Sequence, residues 1–166
     1  LALFGRPLYK VGRAVRDTFS LLNYQLSKQG ITMVQDLDPR VPPIWARESG
    51  VLPVVISGRS SRAVVARMGD LSLEYYLGAK DKVAIAERVI EREGATWAQC
   101  AMVGDDLPDI ALMKRVGWPI AVADASRETM TAAKTGLGLP GGRGAVRAAV
   151  EMVLRHNGTW QRVLAR

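Results

Sequence analysis

The sequence is nearly devoid of cysteine and histidine, the residues that build disulfide frameworks and zinc sites. It has one of each among 166 residues, Cys100 and His156. A single cysteine excludes an internal disulfide and a cysteine-based zinc cluster. Cys100 lies within an apolar run, where we expect a small core residue. His156 falls near the end of a predicted helix, and we assign it no chemistry.

Long apolar runs are also lacking. No run approaches the roughly 20 residues that a membrane span needs, and no charged-then-apolar leader opens the chain. The chain starts at Leu1 and not at methionine, as expected of a fragment or of an unusual start. With 48% hydrophobic and 23% charged residues, the composition is typical of one soluble globular domain. We therefore expect a cytoplasmic protein with no membrane partner.

Acidic residues are the minority charge, because 16 Asp and Glu stand against 23 Lys and Arg, for a net charge of +7. Such an excess raises the question of nucleic acid binding. The basic residues are scattered, however, and no recognisable nucleic-acid motif is present. A basic surface that attracts small anionic metabolites explains the charge equally well, and no nucleic acid partner is expected.

From residue 51 onward, short apolar runs alternate with amphipathic segments. This alternation predicts an α/β fold, a doubly wound parallel sheet with right-handed crossovers. Gly69, Gly94 and Gly158 are predicted to end three of the helices. The predicted strands are 51–57, 73–78, 99–104 and 118–123, and the predicted helices are 61–69, 82–94, 108–116, 126–136 and 144–158.

Polar residues follow each predicted strand, where ligands bind in such sheets. They are Ser57-Gly58-Arg59, residues 78–82 with Lys82, Gly104-Asp105-Asp106, and Ala123-Asp124. A hydroxyl, a glycine amide and a lysine suit a phosphate, and neighbouring carboxylates suit Mg²⁺. The combination predicts a metal-dependent phosphoryl-transfer site.

The stretch AMVGDDLPDIALM, residues 101–113, places Asp105, Asp106 and Asp109 within five positions directly after an apolar run. Carboxylates this close repel one another and resist desolvation, and a bound divalent cation would remove the conflict. The alternative is an exposed acidic turn that caps the next helix. The stretch by itself fits both interpretations.

Three motifs in this order resemble the haloacid dehalogenase superfamily, which consists largely of phosphatases. ISGRSSRAV is similar to its second motif, Lys82 in GAKDK to its third, and GDDLPD to its fourth. The closer resemblance is to the 3-deoxy-D-manno-octulosonate 8-phosphate phosphatase branch, through GDDLPD, RVG, AVADA and PGGRGAVR. A similar domain stands at the carboxyl end of animal acylneuraminate cytidylyltransferases, where it serves assembly.

The resemblance implies a Mg²⁺-dependent phosphatase of a sugar-acid phosphate, active in lipopolysaccharide biosynthesis as a homo-oligomer, typically a tetramer. It implies one domain over 1–166 without a separate cap domain, family-like over 45–160 and unlike the family over 1–44. The implied phosphate-binding residues are Ser57, Gly58, Arg59 and Lys82; the implied metal residues are Asp105 and Asp109; and the implied substrate loop contains Gly142, Arg143 and Gly144. We also expect Asp109 to steady the metal loop through hydrogen bonds to its amides.

The first motif of the family, Asp-x-Asp-Gly after an apolar strand, is not present near the start of the chain. One alignment places Phe4 and Arg6 where the family has the nucleophilic and the acid/base aspartate. A second places Asp36 and Asp38 there, although stretch 34–36 is also similar to a different family element. Two hypotheses follow: a phosphatase that uses Asp36 and Asp38, or a non-catalytic homologue with a binding or assembly role.

Overall fold

The structure is a computed structural model and describes residues 2–5 and 42–165. Arg6, Asp36 and Asp38 of the two alignments lie outside these ranges, and so does the segment 9–30, whose sequence predicts a helix where the family has a β-hairpin. The strands are β1 (Ala2–Gly5), β2 (Val51–Ser57), β3 (Glu74–Leu77), β4 (Cys100–Gly104), β5 (Trp118–Ala121) and β6 (Thr135–Gly136). They form one six-stranded sheet in the order β3-β2-β1-β4-β5-β6.

The α-helices are α1 (Pro42–Glu48), α2 (Arg62–Asp70), α3 (Lys82–Glu93), α4 (Ile110–Met113), α5 (Arg127–Ala132), α6 (Ala145–His156) and α7 (Trp160–Leu164). Two 3-10 helices, Trp97–Gln99 and Leu107–Asp109, flank β4. Helix α3 shows how the local sequence sets an element. Asp81 caps its amino end by accepting a hydrogen bond from the Ala84 amide, and Gly94 ends it with a φ of 60°.

The sheet is covered on both faces, because successive residues of its strands point to opposite sides. Val55 and Val103 belong to the core beneath α1, α2, α6 and α7. Val54 and Met102 belong to the opposite core, which α3 and α4 cover. Cys100 is buried in this second core, as expected. The open α/β architecture predicted from the sequence is confirmed.

The direction of β1 was not predicted. Strands β2 to β6 run parallel, whereas β1 is antiparallel to both of its neighbours, β2 and β4. Gly5 lies opposite Val51, the first residue of β2. The chain therefore leaves β1 at the amino edge of the parallel strands.

Several element boundaries also differ from prediction. The helix predicted over 108–116 is a 3-10 turn followed by a short helix that ends at Met113, and the strand predicted over 118–123 ends at Ala121. The helix predicted over 126–136 ends at Ala132, because Thr135 and Gly136 pair with the open edge of β5. Helix α2 continues through Gly69 to Asp70, and the positive φ after it falls at Ser72 (49°). The helix predicted as the last of the chain is followed by α7.

Within the two described ranges, no helix combines the length and the apolar character that crossing a membrane requires.

Candidate active site

A crevice of about 500 Å³ opens at the carboxyl edge of the parallel strands. It lies between the end of β2, the loop before α3 and the loop after β4. Ser57, Gly58, Arg59, Lys82, Asp105 and Asp109 are all among the residues that line it. The structure thus brings together the predicted phosphate and metal residues, as the strand order leads one to expect. Their roles stay predictions.

Ser57 ends β2 with its hydroxyl beside the crevice. Its Oγ accepts a hydrogen bond from the Arg59 amide at 3.1 Å. The hydroxyl that serves the start of α2 belongs to Ser61, whose Oγ accepts from the Val64 amide at 3.3 Å. Ser57 is therefore not the helix cap that a strand-to-helix turn could have required, and its hydroxyl proton is available to a ligand.

Lys82 lies in the first turn of α3 and points toward the loop after β4. Its Nζ donates to Asp109 Oδ1 at 2.6 Å, and the two side chains are only 16% and 8% exposed. The alternative of a solvated first-turn lysine is thereby excluded. An ammonium held by a buried carboxylate keeps one position at the crevice wall, which is what a phosphate-binding lysine needs.

Asp109 organises the loop between β4 and α4. Its Oδ2 accepts from the Asp105 amide at 3.0 Å and, more weakly, from the Asp106 amide at 3.5 Å. Gly104 makes room for this arrangement, since a Cβ there would lie 2.9 Å from the Cβ of Asp109. Burial alone would raise the pKa of Asp109, but the ammonium of Lys82 and the amide of Asp105 hold it below its usual range.

Of the two tasks predicted for Asp109, the geometry fits the steadying of the loop. Both of its oxygens already have partners in Lys82 and in the loop backbone. A carboxylate so engaged positions its neighbours better than it ligates an ion. The prediction that Asp109 is itself a metal ligand therefore finds no support in these contacts.

Asp106 caps the 3-10 helix that follows, because its Oδ1 accepts from the Leu107 amide at 2.8 Å. Asp105 takes no part in this capping and faces the crevice. Although its side chain reaches solvent, partial desolvation and the neighbouring carboxylate of Asp109 raise the pKa of Asp105. The capped turn and the candidate metal ligand thus coexist in one loop.

Asp105 fits Mg²⁺ as a single protein ligand. Mg²⁺ in phosphate sites is often held by one or two carboxylates, together with water and the oxygens of the substrate. Within ranges 2–5 and 42–165, no group of three or more His, Cys, Asp and Glu side chains has the arrangement of a metal site. A closed, all-protein metal cage is therefore not what the described residues form.

The predicted substrate loop is placed differently from the phosphate and metal residues. Gly142, Arg143 and Gly144 lie before α6 and are not among the residues that line the crevice. The loop nevertheless lies at the same edge of the sheet, because the Gly141 amide donates to Asp124 Oδ1 after β5. Arg143 is exposed there.

The structure contradicts the alignment that put Phe4 in place of the nucleophilic aspartate, while Arg6 lies outside the described residues. It requires a strand that ends at the crevice, whereas β1 ends at the opposite edge of the sheet. The backbone of Phe4 pairs with Leu52 and Cys100, at the starts of β2 and β4. The structure therefore gives no support to Phe4 as the replacement of a nucleophile.

Sequence reasoning did not single out Lys80 and Asp81, which also line the crevice. Lys80 is exposed at its lip, while Asp81 caps α3. Both stand in the GAKDK stretch beside Lys82, so their proximity could have been found from the strand end alone. The RVG motif has a packing role: Gly117 lies so close to Ala98 that an added Cβ would overlap its carbonyl oxygen.

The chain is similar to a family of known proteins. Residues 60–138 match the haloacid dehalogenase-like hydrolases. The 3-deoxy-D-manno-octulosonate 8-phosphate phosphatase of Haemophilus influenzae is 32% identical over 130 residues, which is 78% of this chain and 66% of that protein. The Escherichia coli phosphatase of the same name is 32% identical over 114 residues, 68% of this chain and 61% of that protein. The chain thus spans about two thirds or less of these curated relatives.

Solved structures resemble the fold. A YrbI-family phosphatase of Pseudomonas syringae is 32% identical, with a TM-score of 0.68 over 71% of this chain and 68% of that one. The 3-deoxy-D-manno-octulosonate 8-phosphate phosphatase of Moraxella catarrhalis, solved with magnesium, phosphate and the sugar acid, is 29% identical. Its TM-score is 0.67, over 71% of this chain and 68% of that one.

Proposed function

The chain belongs to the haloacid dehalogenase-like hydrolase family, and from this premise we propose that it is a Mg²⁺-dependent phosphatase of a sugar-acid phosphate such as 3-deoxy-D-manno-octulosonate 8-phosphate. The observation that carries the proposal is the meeting of Ser57, Lys82 and Asp105 in one crevice. The relatives of Haemophilus influenzae and Escherichia coli are named as phosphatases of this substrate, and the phosphatase of that name from Moraxella catarrhalis was solved with magnesium and the sugar acid.

The residues of the crevice divide the work of holding a phosphate ester. The hydroxyl of Ser57 and the amide of Gly58 donate hydrogen bonds to phosphate oxygens. The ammonium of Lys82, fixed by Asp109 at 2.6 Å, neutralises the charge that those oxygens carry. A donor fixed before the substrate arrives costs no reorganisation during the reaction.

Asp105 would hold Mg²⁺, which when bound polarises a phosphate oxygen and shields its charge. Asp109 keeps the Asp105 backbone in place through the Asp105 amide. Arg59, exposed at the crevice, adds positive charge on the approach to the phosphate. Asp36 and Asp38, outside the described ranges, remain the candidates for nucleophile and acid/base.

Release of inorganic phosphate from 3-deoxy-D-manno-octulosonate 8-phosphate tests the proposal. With Mg²⁺ present, we expect Lys82→Ala to lower kcat/KM by roughly 100-fold or more, the cost of removing one fixed donor at a developing charge. Lys114→Ala is the matched control, since it removes an exposed lysine that does not line the crevice, and its kcat/KM should stay within about threefold, because an exposed charge away from the site contributes little.

A wild-type rate no higher than that of Lys82→Ala would contradict the proposal. It would support instead the second hypothesis, a non-catalytic homologue that binds an anion or serves in assembly. A homo-oligomer is proposed on the family resemblance.

A further inference from the structure

The AVADA motif forms a bridge between two loops at the carboxyl edge of the sheet. On one side, the Val122 amide donates to the Gly104 carbonyl at 3.3 Å and the Ser126 amide to the Asp105 carbonyl at 2.9 Å. These contacts fasten segment 122–126 to the loop that carries the candidate metal ligand. The proposed phosphatase function leaves the motif without a role.

On its other side, the same segment holds loop 140–144 and Leu139, the residue before this loop. The Ala123 amide donates to the Leu139 carbonyl at 3.0 Å, and the Gly141 amide donates to Asp124 Oδ1 at 2.6 Å. The second bond joins residues 17 positions apart. Hydrogen bonds to an ionised acceptor are shorter and stronger than those between neutral groups, so the carboxylate of Asp124 is a firm anchor for the loop.

Loop 140–144 needs such an anchor. Gly142 and Gly144 adopt φ values of 72° and 87°, which glycine reaches without strain. Glycines also lose the most conformational freedom on ordering and bring no side chain to fix themselves. Arg143, between them, is exposed. On its carboxyl side the loop is held by α6, because the Ala148 amide donates to the Gly144 carbonyl at 3.0 Å. On its amino side the position of Arg143 depends on what holds residues 140–142.

We propose that Asp124 is a positioning residue: its carboxylate holds loop 140–144 beside the loop of Asp105, and so places Arg143 for a phosphorylated substrate. The anchoring stands on the contacts alone. The part that concerns the substrate rests on the proposed phosphatase function. Segment 122–126 then connects the metal loop with the loop that carries Arg143.

Tryptic cleavage after Arg143 in the full chain tests the anchoring without any assay of activity. Asp124→Ala should accelerate this cleavage roughly fivefold, because the loop loses a hydrogen bond to a charged group. Asp124→Asn should be cleaved at a rate between those of wild type and Asp124→Ala, since its amide oxygen still accepts from Gly141 but carries no charge. Cleavage after Arg155, in α6, reports global unfolding in the same digests, and Glu128→Ala replaces an exposed acid of α5 as the control.

Cleavage of Asp124→Ala at the wild-type rate would overturn the proposal, and so would an Asn variant cleaved as fast as the Ala variant. In the phosphatase assay, Asp124→Ala should raise KM roughly fivefold with kcat within about twofold. The same change should have little effect on KM in an Arg143→Ala background. If the wild type releases no phosphate, the phosphatase function fails, while the digests still decide whether Asp124 anchors the loop.

Discussion

Asp109 gives one carboxylate oxygen to Lys82 and the other to the backbone of its own loop. Asp106 next to it caps a turn. Asp105 is left facing the crevice. The crowding of three aspartates after an apolar strand is therefore explained by a division of tasks, in which a lysine 27 residues earlier compensates the buried member.

A double-mutant cycle measures whether Lys82 and Asp109 act as a unit. Lys82→Met and Asp109→Asn should each destabilise the protein, because each leaves a largely buried group without its charged partner. We expect a coupling energy of about 1–3 kcal/mol in the free energy of unfolding, the range for residues in one network. The measurement is urea unfolding of the four proteins. Additive effects would show that the 2.6 Å contact contributes no specific coupling.

The sequence predicted the site at this scale because each residue type follows a strand end. Ser57, Lys82 and Asp105 could be named from position alone. The partner of Lys82 could not, since pairing across 27 residues depends on how two loops pack. The distinct roles of the aspartates likewise depend on which backbone amides each carboxylate reaches.

At the scale of elements, α3 is fastened to the edge strand β3 by an ion pair. The two terminal guanidinium nitrogens of Arg92 each donate to a carboxylate oxygen of Glu74 at 2.7 Å. The Tyr76 hydroxyl donates to Glu74 Oε1 at 2.8 Å. Burial opposes ionisation, but these hydrogen bonds and the charge of Arg92 hold the pKa of Glu74 below its ordinary range. The contact ties the outer edge of the sheet to the helix that carries Lys82.

This ion pair should make the free energy of unfolding depend on pH in the acidic range. Because the folded-state pKa of Glu74 is lowered, its contribution is present above the unfolded-state pKa and is lost as pH falls through the folded-state value. At pH 7, Glu74→Gln should cost about 0.5–1 kcal/mol of unfolding free energy, a small value because the pair is partly solvated. The difference from wild type should vanish in acid.

Chemical unfolding of wild type and Glu74→Gln over a series of pH values measures this dependence. The control is Glu91→Gln, which removes the charge of an exposed glutamate in α3. A difference that persists unchanged below the folded-state pKa of Glu74 would contradict it.

Local patterning predicted the elements that have a strong period and clear ends, such as β2 and α3. The helix predicted over 126–136 is too long, because Thr135 and Gly136 pair with the edge strand β5. No local sequence signal indicates this pairing. The direction of β1 was also beyond reach. The sequence of a four-residue strand does not indicate whether it pairs parallel or antiparallel with its neighbours. The pairing direction depends on how the strand is connected to the rest of the chain.

At the scale of the whole molecule, the sheet brings residues from three separate stretches of sequence to one edge. The turn proposed to bind phosphate follows β2, Lys82 opens the helix after β3, and Asp105 follows β4. This arrangement follows from parallel strands joined by helices, and the relatives in the family have the same fold. We propose that Asp105, set apart from the other two aspartates of its loop, makes this edge a metal site.

Thermal unfolding of wild type, Asp105→Asn and Asp106→Asn, each with and without Mg²⁺, tests whether Asp105 binds the metal. At free Mg²⁺ about ten times Kd, binding to the folded state alone adds about 1.4 kcal/mol, which corresponds to a rise in Tm of roughly 3–5 °C. We predict this rise for wild type and for Asp106→Asn, whose amide oxygen can still cap the turn, and its loss in Asp105→Asn. No rise in wild type, or an equal rise in Asp105→Asn, would contradict the account.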